Sequence, residues 1–297
     1  MSETPYSVLE ATTLLPFLLQ NMTGFSRNTV KSLLAGRQIL VDGRPTTQFD
    51  APLAVGQTVS LLPKGGPTGA TLPFPLLYED DELLVINKPC GLLSIATDKE
   101  KSATAYHAVT DYVRARDEAA RIFVLHRLDR DTSGVLVFAK NEEVKRQFQD
   151  RWDELLLERV YLAIVEGHPA EKRGTIRSFL RETATHLVYS TDPGGDAKEA
   201  VTQYITLAKH GDYSLLRVSL ETGRKNQIRV HMKDLGHPVA GDKKYGAKTD
   251  PLKRMGLHAI TLGIRHPVTG KELWFNAPTP VAFRNYLPKN YREPAQK

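Results

Sequence analysis

The chain has 297 residues, of which 41% are hydrophobic and 25% are charged. These values are typical of folded proteins and exclude a disordered, collagen-like or coiled-coil chain. The length allows about two domains, and the single cysteine, Cys90, excludes an internal disulfide framework.

Positive charge is concentrated in two places along the chain. Residues 217–254 hold ten Lys or Arg against four acids, so this stretch accounts for the whole net charge of +6. A smaller basic cluster consists of Arg27, Lys31, Arg37 and Arg44. Localised basic patches indicate a polyanionic partner, whereas scattered charges would indicate only a solvated surface.

The first 62 residues predict a small helical module. Helices are expected at 14–20 and from Ser26, followed by strands at 38–41 and 58–62 with an Asp-Gly turn between extended segments. Arg27 and Lys31 are four residues apart and share one face of the second helix. Residues 64–75 are rich in Gly and Pro, so we predict domains at 1–63 and 76–297 joined by this linker.

The segment SRNTVKSLLAGRQILVDGRPTTQFDAPLAVGQTVSLL resembles the S4 RNA-binding domain. This resemblance implies that Arg27, Lys31 and Arg37 contact RNA.

The rest of the chain predicts an α+β fold with a mixed, mainly antiparallel sheet and flanking helices. Strands are expected at 83–87, 123–125, 134–139 and 161–165, with helices at 104–116 and 141–157. The later segments are short and β-rich, which favours antiparallel pairing over a doubly wound sheet.

Three polar segments are candidates for a reactive site. HRLDRDTSG, residues 126–134, forms a polar turn between two apolar strands, where a scaffold can present a reactive side chain. RVYLAIVEG predicts a strand with Tyr161 on one face. In QIRVH we predict a strand that places Gln227, Arg229 and His231 on one face, and an inward Arg229 needs a carboxylate partner such as Asp129.

The chemistry is expected to need no cofactor and no metal. The sequence lacks the dinucleotide, phosphate-loop, zinc-protease and serine-hydrolase motifs, and its nine histidines include no helical HxxxH pair. No apolar run reaches the roughly 18 residues of a membrane span, and the first residues lack a basic signal region, so a cytoplasmic protein without membrane contact is expected.

Four ordered motifs resemble those of the RluA-type RNA pseudouridine synthases: YEDDELLVINKPCG, HRLDRDTSGVLVFAK, RVYLAIVEG and TGRKNQIRVH with GHPVAGDKKYG. This resemblance covers residues 74–290 and implies a mixed, mainly antiparallel sheet with the active site in a cleft across it. Asp129 would be the catalytic aspartate, which attacks either the ribose or the base. Arg127 would help to extrude the uridine, because a stacked base cannot be reached.

The same resemblance assigns four further positions. Tyr161 would pack on the flipped uracil and could accept its C5 proton, and Arg229 would pair with Asp129. Leu128 and Ile228 would be apolar walls of the site. The chain departs from the common family pattern at Asn226, where His is usual, and at Arg159, where Lys is usual.

The leading hypothesis is therefore an RNA pseudouridine synthase, an isomerase that acts on structured RNA. We expect large-subunit ribosomal RNA as substrate, with transfer RNA as the alternative, and a monomeric enzyme. A non-catalytic RNA-binding or ribosome-assembly factor is a second hypothesis. A carboxylate glycosidase would require a second acid, for which Asp131 is the local candidate.

Overall fold

The computed structural model describes residues 6–22, 27–35, 39–61, 71–98 and 100–294. The chain divides into two compact units, Met1–Thr71 with Thr110–Ala120, and Leu72–Val109 with Arg121–Lys297. No helix in the described ranges is long and apolar enough to cross a membrane.

The first unit contains a helix pair and short strands. The helices are α1 (Leu14–Asn21) and α2 (Arg27–Ala35); the strands are β1 (Tyr6–Ser7), β2 (Thr12–Thr13), β3 (Ile39–Val41), β4 (Arg44–Thr46), β5 (Pro52–Leu53) and β6 (Thr58–Leu61). The strands form a sheet of order β1-β6-β3-β4 and a separate pair, β2-β5. The predicted helices and hairpin are confirmed, whereas Arg37 and Ser26, from which the second helix was expected to start, lie outside the described residues.

The Asp-Gly turn of this unit follows directly from its two residues. Asp42 and Gly43 both have positive φ, at 48° and 76°, and they join the antiparallel strands β3 and β4. This combination is the one that a two-residue hairpin needs to match the strand twist.

From residue 72 onward the chain is mainly strand. Its strands are β7 (Leu76–Glu79), β8 (Leu83–Lys88), β9 (Phe123–Val124), β10 (Ser133–Ala139), β11 (Leu156–Glu166), β12 (Arg173–Glu182), β13 (Val188–Thr191), β14 (Lys198–His210), β15 (Tyr213–Leu220), β16 (Leu257–Arg265) and β17 (Glu272–Asn276). Its helices are α3 (Ala105–Arg114), whose residues 110–114 belong to the first unit, α4 (Glu142–Asp150), α5 (Trp152–Leu155) and α6 (Gln227–Asp234). It also has 3-10 turns at Lys243–Tyr245 and Val281–Tyr286.

These strands form one sheet of order β13-β12-β14-β15-β11-β16-β10-β8-β7, with β17 on β16 and β9 on β10. Its pairs are antiparallel except β10 with β16. The structure thus confirms a mixed, mainly antiparallel α+β fold. Both sheet faces are covered, because the buried side chains of β8, β10 and β16 pack under α4 and those of β11 and β15 pack under α6.

The parallel pairing of β10 with β16 depends on Gly134. A Cβ at this position would lie 2.0 Å from the carbonyl oxygen of Ala259, and the φ of Gly134 is +119°. Ala259 is paired with Tyr161 on its other side, so the register places Gly134 and Tyr161 two strands apart in one row. The polar turn that precedes β10 is thereby brought close to Tyr161.

The predicted strand at 227–231 is wrong, because these residues form the helix α6. Residues four apart lie on one helix face, whereas residues two apart are separated by about 200°. Gln227 and His231 accordingly both contact Thr202 of β14, at 2.9 and 2.8 Å, while Arg229 projects away from that strand. The polar residues alternate in the sequence because Gln227 and His231 form one buried polar face of the helix, while Arg229 lies on the opposite side.

Candidate active site

A pocket of about 780 Å³ lies within the second unit. It is bordered by the turn before β10, by β11 and by the segment leading into α6, and its lining includes Arg127, Leu128, Asp129, Tyr161, Ile228 and Arg229. A pocket of this size accommodates a nucleotide-sized group. The structure therefore brings together all six residues that the sequence assigned to the second domain.

Asp129 is presented by a turn held on both sides. Its backbone carbonyl accepts a hydrogen bond from the Thr132 amide at 3.1 Å. On the preceding residue, the Ser94 hydroxyl donates to the Leu128 carbonyl at 2.7 Å and accepts from the Leu128 amide at 3.1 Å. Because Ser94 and Leu128 are both buried, these two bonds determine where the chain enters the turn.

Lys88, the last residue of β8, and the residues that follow it hold the other end of the turn. Lys88 is fully buried, and its ammonium donates to the carbonyls of Pro89, Leu92 and Arg130 at 2.9, 2.6 and 3.0 Å. Burial lowers the pKa of Lys88 to about 8. The Gly91 amide also donates to the Arg130 carbonyl, at 2.9 Å. The KPCGLLS segment is therefore a support for the turn that carries Asp129.

Arg229 joins two carboxylates. Its Nη1 donates to Oδ2 of Asp129 at 3.1 Å, while Nε and Nη2 donate to the two oxygens of Asp242 at 2.6 and 2.9 Å. Burial disfavours the charge of Arg229, but the hydrogen bonds and negative charges of Asp242 and Asp129 outweigh it and raise its pKa. The predicted Asp129–Arg229 ion pair is present, and Arg229 remains a cation beside Asp129.

Asn226 and Tyr245 support the same guanidinium. The Asn226 amide oxygen accepts from Nη1 of Arg229 at 3.0 Å, and its amide nitrogen donates to the Tyr245 hydroxyl at 3.0 Å. The Tyr245 ring lies 4.8 Å from the centre of the guanidinium. Asn226 is only 8% exposed and has a φ of 55°, a conformation that asparagine tolerates well. The departure from the family pattern at Asn226 is thus a buried contact to Arg229.

Tyr161 and two apolar side chains form the walls beside Asp129. Leu128 is 6% exposed and Ile228 is 4% exposed, so both contribute shape to the pocket. Tyr161 packs on the apolar cluster of β11, β15 and α6 that contains Ile228. Burial raises the pKa of Tyr161, so its phenol keeps its proton at neutral pH.

The remaining predicted RNA contacts lie in different places. Arg127 is exposed at the pocket, two residues from Asp129. Arg27 and Lys31 are exposed on α2 of the first unit, and Arg37 lies outside the described residues. Asp131, the candidate second acid, is paired with Arg130 at 3.1 Å.

Three further residues position the site but were not identified from the sequence: Asp242, Ser94 and Tyr245. Asp242 and Tyr245 belong to the GHPVAGDKKYG motif, for whose residues the resemblance implied no role. One signal was available for Asp242, because a buried arginine has five donors and a single carboxylate satisfies only some of them. Ser94 offered no signal, because its contacts are to the backbone of a distant turn.

Sequence and structure comparisons relate this chain to known proteins. The family model described as RNA pseudouridylate synthase matches residues 82–234. A Bacillus subtilis (strain 168) protein named uncharacterized RNA pseudouridine synthase YhcT is 35% identical over 213 residues, which cover 71% of this chain and 70% of the relative. The ribosomal large subunit pseudouridine synthase D of Vibrio cholerae is 33% identical over 276 residues, covering 87% and 85% of the two chains. Among solved structures, human RNA pseudouridylate synthase domain containing 4 has the same fold, with a TM-score of 0.59 and 24% identity over 71% of this chain and 92% of that chain.

Proposed function

Since this chain belongs to the RNA pseudouridine synthase family, we propose that it isomerises specific uridines of structured large-subunit ribosomal RNA to pseudouridine. The observation that carries the proposal is the Asp129–Arg229 contact of 3.1 Å in a nucleotide-sized pocket beside Tyr161. Ribosomal RNA is favoured over transfer RNA because a relative that matches 87% of this chain is named for the large ribosomal subunit.

In the proposed reaction, Asp129 attacks the target uridine at ribose C1′ or at the base, and the N1–C1′ bond breaks. The uracil turns, C5 bonds to C1′ and the bond to Asp129 breaks, which restores its carboxylate. The C5 proton then leaves and N1 gains a proton. Arg229 holds Asp129 in position for the attack through its hydrogen bond of 3.1 Å and places a positive charge beside the carboxylate. Nothing is consumed, because one glycosidic bond replaces another in the same nucleoside.

Tyr161 is proposed to pack on the uracil after extrusion. Because burial raises its pKa, the phenol holds its own proton at neutral pH, which favours this role over that of proton acceptor from C5. Arg127 is proposed to occupy the space that the uridine leaves, which its exposed position two residues from Asp129 allows. Extrusion costs least where the uridine is unpaired, so loops and bulges are the expected targets.

The first 63 residues are proposed to act as an S4-like RNA-binding module, joined by residues 64–75 to the catalytic domain at 76–297. The support is the helix pair with Arg27 and Lys31 exposed on α2. Charges of this kind supply salt-sensitive affinity with little sequence preference. A monomeric state and a cytoplasmic location complete the proposal.

The test uses RNA carrying tritium at uracil C5, because forming the C5–C1′ bond must release that hydrogen. Large-subunit ribosomal RNA transcripts and transfer RNA are offered separately to the wild type, Asp129→Asn and Asp131→Asn. We expect release from the ribosomal transcript by the wild type and Asp131→Asn, and none by Asp129→Asn, which should still bind RNA. Release from transfer RNA alone would contradict the substrate assignment. Equal release by Asp129→Asn would contradict the role of Asp129.

A further inference from the structure

Arg159 lies on β11 two residues before Tyr161, and both side chains line the pocket. Its Nη2 donates to the backbone carbonyl of Glu221 at 3.2 Å. Its Nε is buried and has no hydrogen-bond partner among the described residues. No carboxylate of the described chain lies within salt-bridge distance of this guanidinium, although Asp153 favours its charge from farther away.

The other cations of the pocket differ from Arg159. Three already have carboxylate partners: Arg177 with Glu199, Lys225 with Glu182, and Arg229 with Asp129 and Asp242. Two others, Arg127 and Arg224, are exposed to water, which screens their charge. Arg159 is half-buried, and burial lowers its pKa. The charge of Arg159 is therefore neither fully hydrated nor paired with a carboxylate of the described residues.

The position of Arg159 is determined by its neighbours. A Cβ on Gly223 would lie 2.1 Å from Nη1 of Arg159, so only a glycine allows the guanidinium to lie against this turn. The hydrogen bond from Nη2 to the Glu221 carbonyl holds the guanidinium at a second point. Nη1 is neither buried nor hydrogen-bonded to any described residue, so the Nη end of the guanidinium, rather than the buried Nε, is suited to an oxygen anion that enters the pocket.

We propose that Arg159 binds a backbone phosphate of the RNA nucleotide that enters the pocket. A phosphate is the anion that every nucleotide of an RNA carries, and it would supply the counter-charge that the protein does not provide. Since Arg159 and Tyr161 are on the same strand, this contact would hold the backbone while the base lies against Tyr161. The inference rests on RNA being the substrate, and it assigns a role to the residue where the family usually has Lys.

The experiment measures binding of fluorescein-labelled hexauridylate to the full-length protein by anisotropy between about 50 and 300 mM salt, a range that brackets physiological ionic strength. The variants are Arg159→Met, which removes the charge, and Arg159→Lys, which restores the usual residue of the family. The control is Arg265→Met, which removes an exposed arginine paired with Glu272 outside the pocket.

We expect Arg159→Met to bind about tenfold more weakly at low salt, as loss of a charge-assisted hydrogen bond predicts. The slope of log affinity against log salt concentration is negative and should become shallower by about 0.7, the value for one phosphate contact on a single strand. Arg159→Lys should keep the slope, and Arg265→Met should match the wild type. A purely structural role would lower the melting temperature of Arg159→Met without changing its slope, and that result would overturn the proposal.

Tritium release by the wild type, measured in parallel, separates this inference from the proposed function. If the wild type releases tritium but the salt slope of Arg159→Met is unchanged, the phosphate contact is overturned and the proposed function stands. Absence of release from every RNA tested, with a reduced slope in Arg159→Met, overturns the proposed function and leaves the phosphate contact supported.

Discussion

Asp242 binds Arg229 through both carboxylate oxygens, at 2.6 and 2.9 Å, on the side of the guanidinium away from Asp129. Asp242 is 3% exposed, so this pair is shielded from water. Its bidentate geometry leaves Nη1 of Arg229 to contact Asp129. The orientation of the proposed catalytic aspartate thus depends on a second aspartate that lies 113 residues further along the chain.

Replacing Asp242 by asparagine should therefore weaken both the fold and the reaction. The amide of the Asp242→Asn variant has one acceptor oxygen for two donors, and breaking a buried pair costs about 3 to 5 kcal/mol of unfolding free energy. Urea unfolding should show this loss, and the rate of tritium release under saturating RNA should fall at least tenfold. The matched control is Glu272→Gln, which breaks an exposed pair and should change the stability by less than about 1 kcal/mol. Full activity of Asp242→Asn would show that Arg229 does not need this partner.

Asn226 allows the effects of backbone and side chain to be separated. Asn226→Gly keeps the positive φ without strain but removes the bonds to Arg229 and Tyr245, whereas Asn226→Ala adds about 1 kcal/mol of backbone strain to the same loss. We expect both to lower the rate of tritium release, with Ala less stable than Gly. Asn226→His, with one donor and one acceptor, should retain most activity. If Asn226→Gly reacts as fast as the wild type, the contact to Arg229 has no role in the reaction.

Ser94→Ala tests the support of the turn. It leaves the buried amide and carbonyl of Leu128 without their hydroxyl partner, at a cost of about 1 to 3 kcal/mol. Because Asp129 is the next residue, we expect the turnover rate to fall while the affinity for RNA is retained. Ser94→Thr, which keeps the hydroxyl, should restore most of the rate, and Ser102→Ala serves as an exposed control. A lower melting temperature with an unchanged turnover rate would contradict this prediction.

His126 makes the stability of the protein sensitive to mild acid. Burial, with a smaller effect of the Arg159 charge, lowers the pKa of His126 from 6.5 to about 4, and its Nε2 accepts a hydrogen bond from the Val137 amide. As the pH falls below 6.5 the unfolded chain binds a proton that the folded chain does not, so stability decreases until about pH 4.

The measurement is urea unfolding of the wild type and His126→Gln at neutral pH and at a pH near 5. Between these two conditions the wild type should lose about 2 kcal/mol more unfolding free energy than the variant, given about 1.4 kcal/mol for each unit of pKa shift. Identical pH dependence of the two proteins would show that His126 titrates normally in the folded state. His258, whose pKa burial also lowers to about 4, remains in both proteins and does not affect the comparison.

Local patterns were sufficient to predict much of this protein. The helix expected at 141–157 ends at Leu155, because β11 begins at Leu156. Apolar runs between turn residues did predict β8, β10 and residues 161–165 of β11, and the Asp-Gly dipeptide predicted the hairpin of β3 and β4. These predictions succeeded because strand and turn formation depend on neighbouring residues. The same local logic failed at α6, where alternating polar residues resembled a strand. There, tertiary contacts of Gln227 and His231 with Thr202 decided the helix.

By itself the sequence determined the α+β class and the ordered motifs, because these depend on residue type and spacing along the chain. The resemblance of those motifs to a known family then identified Asp129, Tyr161 and Arg229 as candidates. Only the tertiary structure decided that Asp242 is the main partner of Arg229, that Asn226 is a buried contact and that Ser94 holds the turn before Asp129. These contacts join residues that are far apart in the chain. Their geometry depends on the register of the sheet and on the direction of each side chain, which no local pattern encodes.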